Sequence, residues 1–102
     1  MIIVTGGVRA RPETVDEVLA LCVEHVERSR REPGCLLHSV HRDVEDPLRA
    51  VFIEHWADGA SLAAHFSVPA SLEFVTAVST LAAEPPALDV YEAERIYIAE
   101  LR

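Results

Sequence analysis

The sequence predicts an α+β domain whose elements run in the order βαββαβ. Three observations carry that expectation. Four β-branched or aromatic runs, at 2–9, 35–43, 50–56 and 88–98, have the length and composition of strands. Apolar residues recur at helical spacing between the first and second runs and between the third and fourth. Proline and glycine pairs separate these segments.

The first strand spans 2–9 and contains Gly6-Gly7, where glycine marks a bulge or a close backbone approach. Pro12-Glu13-Thr14 opens a helix, and Thr14 and Glu17 have the spacing of a capping box. Val15, Val18, Leu19, Cys22, Val23 and Val26 form its apolar stripe; Asp16, Glu17, Glu24 and Glu27 are expected to face water. Pro33-Gly34 stops the helix. A second strand covers 35–43, Glu45-Asp46-Pro47 turns the chain, and 50–56 pairs back as a hairpin. Asp58 is placed to cap a short helix carrying Leu62, His65 and Phe66. Pro69 restarts the helix, which continues through Leu72, Val75, Val78, Leu81 and Ala82 until Pro85-Pro86. The last strand is expected over 88–98. This is the ferredoxin-like arrangement, one antiparallel sheet with helices on one face. The other face is left open, yet a strand such as Val51-Phe52-Ile53 or Ile96-Tyr97-Ile98 cannot show both of its faces to water cheaply, since each fully buried aliphatic or aromatic side chain contributes roughly 1.5–3 kcal/mol. A second copy, packed sheet to sheet, is therefore the expected partner.

A chain of 102 residues, half of them apolar, is expected to be a single domain over 1–102. Its 9 basic and 17 acidic residues give a net charge of −8, which argues against nucleic acid and against acidic membranes. Arg28, Arg30 and Arg31 cluster, but Glu27 and Glu32 flank them, as at a solvated helix end. Cys22 and Cys35 form no CxxC pair and read as free thiols in a reducing compartment. Neither a signal peptide nor a membrane span is legible, so a cytoplasmic protein is expected.

The four glycines are too scattered for a phosphate loop, and no GxSxG elbow is present. His38 and His41 point to opposite faces of one strand; His38 and His55 are able to oppose each other across the hairpin. Neither pair supplies the three or four ligands of a metal site, and no metal is expected. The informative stretch is 52–58 followed by 62–66. Strand parity puts Phe52, Glu54 and Trp56 on one face and Val51, Ile53 and His55 on the other. His65 shares a helix surface with Leu62 and Phe66, so it points inward or into a cleft. An imidazole there is more often a satisfied core or helix-end residue than a base, and a tryptophan such as Trp56 more often core or interface packing than a substrate platform. Glu54 on an apolar strand must be paired, hydrogen-bonded or protonated, whether for an interface or for catalysis.

Pro33-Gly34-Cys35-Leu36, the run His41-Arg42-Asp43-Val44-Glu45-Asp46-Pro47, the Glu-x-Trp of Phe52-Ile53-Glu54-His55-Trp56-Ala57-Asp58, and Ala64-His65-Phe66 with Pro69 resemble the antibiotic biosynthesis monooxygenase family, in particular its quinol monooxygenase branch. The resemblance extends over nearly the whole chain. It implies a homodimeric ferredoxin-like α/β barrel with a pocket for a small phenolic, quinol or polyketide-like aromatic substrate. It also implies oxygenation by O2 with no cofactor, the substrate supplying the electrons. On that reading His65 is the catalytic base and Glu54 its catalytic partner, orienting it or balancing its charge. Trp56, Phe52, Phe66 and Phe74 supply aromatic walls. His38 stands where the family often carries a tyrosine. A haem-degrading branch uses an Asn on the first strand, whereas Val4-Thr5-Gly6-Gly7 stands here and the chain contains no Asn. The alternatives are an isomerase or epimerase of a small keto or lactone substrate, and a non-catalytic small-molecule-binding dimer. An open cleft lined by His65 and Glu54 favours an enzyme; a cleft filled by apolar side chains favours binding alone.

Overall fold

The computed structural model describes residues 1–102. Its elements are β1 (Ile2–Arg9), α1 (Val15–Ser29), β2 (Cys35–Arg42), β3 (Arg49–Trp56), α2 (Gly59–Ser67), α3 (Pro69–Leu81) and β4 (Ala87–Glu92), followed by a 3-10 turn over Ile98–Leu101. The strands form one sheet in the order β2-β3-β1-β4, with every neighbouring pair antiparallel. That is the ferredoxin-like topology, and the helices lie on one face. No single helix is long and apolar enough to cross a membrane.

Strand alternation decides what the helices cover. Val4, Val8, Ala50, Phe52, Glu54, Trp56 and His38 are buried beneath them. Leu37 and Ile53 belong to the opposite, open face and are exposed. The main core joins Val8, Ala10, Ala50 and Phe52 of the sheet side to Val18, Cys22 and Val26 of α1 and Val78 of α3. A smaller cluster joins Val4, Trp56 and Leu62. Cys22 and Cys35 are free, and burial pushes the Cys22 thiol up to about 12, so it is an inert packing group.

Local signals explain most boundaries. Asp58 caps α2 by accepting from the Ser61 backbone N–H at 2.8 Å. Pro69 opens α3 after a sharp break, α2 and α3 being bent by 69°. Gly34, at φ 81, turns the chain into β2, and a Cβ there would lie 2.0 Å from Ser61 Oγ.

Four expectations are corrected. Thr14 and Glu17 form no capping box. Thr14 has a near-helical backbone (φ −118, ψ −6), and its hydroxyl instead donates to the Leu81 carbonyl at 2.8 Å, tying the start of α1 to the end of α3. Val23 is 48% exposed, while His25 and Ser29 occupy the buried stripe of α1 with Val18, Cys22 and Val26. The last strand ends at Glu92, where its antiparallel pairing with β1 stops at Ile2, with Ala93 N–H still donating to the Met1 carbonyl. Ile96, Tyr97, Ile98 and Leu101 therefore lie outside the sheet, exposed. Finally, a bulge between Cys35 and Leu37 sets the hairpin register so that His38 faces Glu54 and His55 faces Leu37. His38 and His55 thus lie on opposite faces.

Candidate functional site

A cavity of about 500 Å³ opens between the sheet and the helices α2 and α3. Gly6 and Gly7 of β1 and Ala87 and Leu88 of β4 line one side; Phe66, Leu72, Phe74 and Val75 line the other. The glycine is required at position 6, where a Cβ would meet the Ala87 carbonyl oxygen at 2.9 Å. The polar end is made by His25, Glu54 and His65, and neither Lys nor Arg contributes to the wall.

Each polar group has a definite support. His65 Nδ1 lies 2.8 Å from Glu32 Oε1. A carboxylate only accepts, so Nδ1 carries the proton and Nε2 presents a lone pair. Glu54 Oε1 accepts from Trp56 Nε1 at 2.9 Å and lies 3.3 Å from His38 Nε2. Burial pushes the Glu54 carboxyl up, but His38, the indole N–H and His65 together outweigh it, and its pKa is lowered overall. His25 stacks face to face on Phe74 at 4.0 Å, and its Nδ1 accepts from Arg28 Nη2 at 2.7 Å. The His25, His38 and His65 rings sit 5.3–5.5 Å apart, centre to centre.

The structure brings together Glu54, His65, Phe52, Phe66 and Phe74 around the cavity. It does not place Trp56 or His38 on the wall. Trp56 is wholly buried, sits beside the His65 ring at 4.7 Å and donates to Glu54, so it supports the site from behind. His38 is likewise buried behind Glu54. The partner that orients His65 is Glu32, where Glu54 was expected. Sequence reasoning missed Glu32, Arg28 and His25. For His25 a signal existed: it lies three residues after Cys22 and seven after Val18, on the buried stripe. Glu32 follows the helix in a turn, and nothing local marks it.

Burial, then the neighbouring charges of His38, His65 and Arg28, push the His25 imidazole down to about 3. The unfolded chain binds a proton there near 6.5, the folded chain only near 3. Between those values the unfolded state holds more protons, so stability rises with pH. We expect the protein to lose up to about 1.4 kcal/mol per pH unit on acidification through this window. Lowering of the Glu54 carboxyl adds to the loss below about 4.5. Urea unfolding at pH 7 and pH 5 checks this, and His25→Gln should flatten the difference; an unchanged slope in that variant would remove His25 as its source.

The sequence profile of the antibiotic biosynthesis monooxygenase family matches residues 1–77, from β1 into α3. The chain belongs to this family. A solved structure of an antibiotic biosynthesis monooxygenase is 32% identical, with a TM-score of 0.86 over 93% of this chain and 100% of that one. A structure from Deinococcus radiodurans, assigned provisionally to the same monooxygenase group, is 29% identical with a TM-score of 0.91, over 96% and 98% of the two chains. An uncharacterised protein of Synechocystis is 34% identical over 91 residues, which are 89% of this chain. The match spans 62% of that relative's length. The matched profile therefore takes in His25, Glu54 and His65 at the polar end of the cavity, while Val78, Ser79, Pro86, Ala87 and Leu88 of its lining lie beyond it.

Proposed function

We propose that the protein is a monooxygenase that needs no cofactor and oxidises a small phenolic, quinol or polyketide-like aromatic substrate with O2. The observation that carries this reading is the open cleft with His65 and Glu54 at its polar end. A cavity of about 500 Å³ is the size of a small-molecule site, and its apolar walls suit a flat ring. The lack of cationic lining residues favours a neutral ring over a carboxylated or phosphorylated one.

The chemistry begins with a proton. His65 Nε2 takes it from the phenolic hydroxyl, and the Glu32 carboxylate stabilises the resulting imidazolium. The phenolate then passes one electron to O2, the radical pair joins through a new carbon–oxygen bond, and the His65 imidazolium returns its proton to the peroxide anion, giving the hydroperoxide. Loss of water from the hydroperoxide leaves a quinone, so one oxygen atom enters the product and the other leaves as water. Phe52, Phe66 and Phe74 hold the ring and exclude bulk water. Oxygen uptake with a panel of hydroquinones and naphthols tests the proposal. Uptake above autoxidation supports it. Its absence across the panel would move the weight to an isomerase using the same base without oxygen.

The exposed sheet face and the exposed Ile96, Tyr97, Ile98 and Leu101 support a homodimer. Sedimentation at micromolar concentration is expected to give about twice the chain mass of 11.2 kDa. A stable monomer would overturn that part.

A further inference from the structure

The proposed base shares its surroundings with two further imidazoles. His25, His38 and His65 come from α1, β2 and α2, and each is at least nine-tenths buried. One ring nitrogen from each lies within 4.8 Å of the others. His38 is the telling member: its buried Nδ1 has no partner, and its buried Nε2 has only the long, poorly aligned contact to Glu54. Buried polar atoms without a partner are rare in folded proteins and call for a ligand, a water or an ion. The Glu54 carboxylate stands 3.3 Å from His38 Nε2. Glu32 accepts from His65 Nδ1, which is how a carboxylate fixes a metal-binding imidazole.

We propose that His25, His38 and His65 bind a divalent first-row transition ion, with water completing its shell, and that the bound ion silences the enzyme. Three imidazole nitrogens with an open position are a donor set such ions favour. Glu32 and Glu54 offset the ion's charge. His25, Glu54 and His65 line the cavity, which gives the ion an entry path. The nitrogens of a zinc site lie about 3.3 Å apart, given metal–nitrogen distances of about 2.0–2.1 Å. The ring nitrogens, within 4.8 Å of one another, must therefore close in by up to about 1.5 Å. Arg28 opposes this closure, because by donating to His25 Nδ1 it keeps the His25 proton on Nε2. Its own Nε is buried without a hydrogen-bond partner. The silencing rests on His65 being the base, since an ion on Nε2 removes the lone pair that takes the proton; the binding does not rest on it.

Titration of the metal-free protein with Co²⁺, followed by visible absorption, separates the two parts. One ion per chain is expected, with the intense absorption of a four- or five-coordinate site. His38→Ala and, independently, His65→Gln should each weaken binding at least about 100-fold, with circular dichroism reporting the fold. Arg28→Ala should tighten it, because that change frees His25 Nδ1 and removes a cation beside the ion. The double variant His41→Ala/His55→Ala, outside the cluster, should bind as the native chain does. The weak absorption of a six-coordinate ion, unchanged affinity in both cluster variants, or loss in the His41/His55 variant would each overturn the site. Oxygen uptake should fall in step with Co²⁺ occupancy and return on chelation. Full activity with the site occupied would overturn the silencing, whereas an inactive metal-free protein would count against the proposed oxygenation.

Discussion

Replacing His65 with alanine is expected to lower substrate-dependent oxygen uptake by about 10²–10⁴-fold, the usual contribution of a positioned base. The effect should be large because the cavity offers no ready substitute. His25 is neutral at working pH but carries its proton on Nε2 under the Arg28 contact. Glu54 keeps a lowered pKa and is a weak proton acceptor. A second variant isolates the support of the base. Glu32→Gln removes the charge that stabilises the imidazolium and is expected to cost about 10-fold or more in turnover. Its effect should fall on kcat more than on KM, since Glu32 does not line the cavity. Activity within a few-fold of native in His65→Ala, with the fold retained, would reduce His65 to a packing residue.

The largest expected loss of stability comes from Trp56→Ala, at about 3–5 kcal/mol for removal of a buried large aromatic side chain. Trp56 is wholly buried in the cluster of Val4 and Leu62, and it is packed against the ring of His65. Its indole N–H also holds Glu54 Oε1. Trp56→Phe separates these two roles. It retains much of the packing but leaves the buried carboxylate without its aligned donor, at a cost of about 1–3 kcal/mol. Chemical unfolding of both variants checks the values. A loss under about 1 kcal/mol in Trp56→Ala would mean that the site relaxes to fill the space.

Strand parity already separated Phe52, Glu54 and Trp56 from Ile53 and His55, because successive side chains of a strand alternate whatever the tertiary context. It did not say which set meets the helices. The structure answers that, and with it the role of Trp56: once Phe52, Glu54 and Trp56 are covered, the indole at the end of β3 is sealed beneath α2 and cannot serve as a cavity wall. The Asp58 cap and the start of α3 at Pro69 were likewise legible, since each depends on only a few neighbouring residues. The end of β4 was not. Its composition supports a strand to Ile98, but a strand continues only where another backbone lies beside it, and β1 begins at Ile2.

The same division holds at the site. By itself, the sequence determined the order of the elements, the ferredoxin-like class, the apolar faces and the inward direction of His65, because each follows from local period and turn chemistry. Only the tertiary structure decided that Glu32 and not Glu54 supports His65, that Arg28 holds His25, and that three histidines from three elements converge. Those contacts depend on how the helices dock across the sheet, and that docking is set by the packing of the whole core, which no local window of sequence contains.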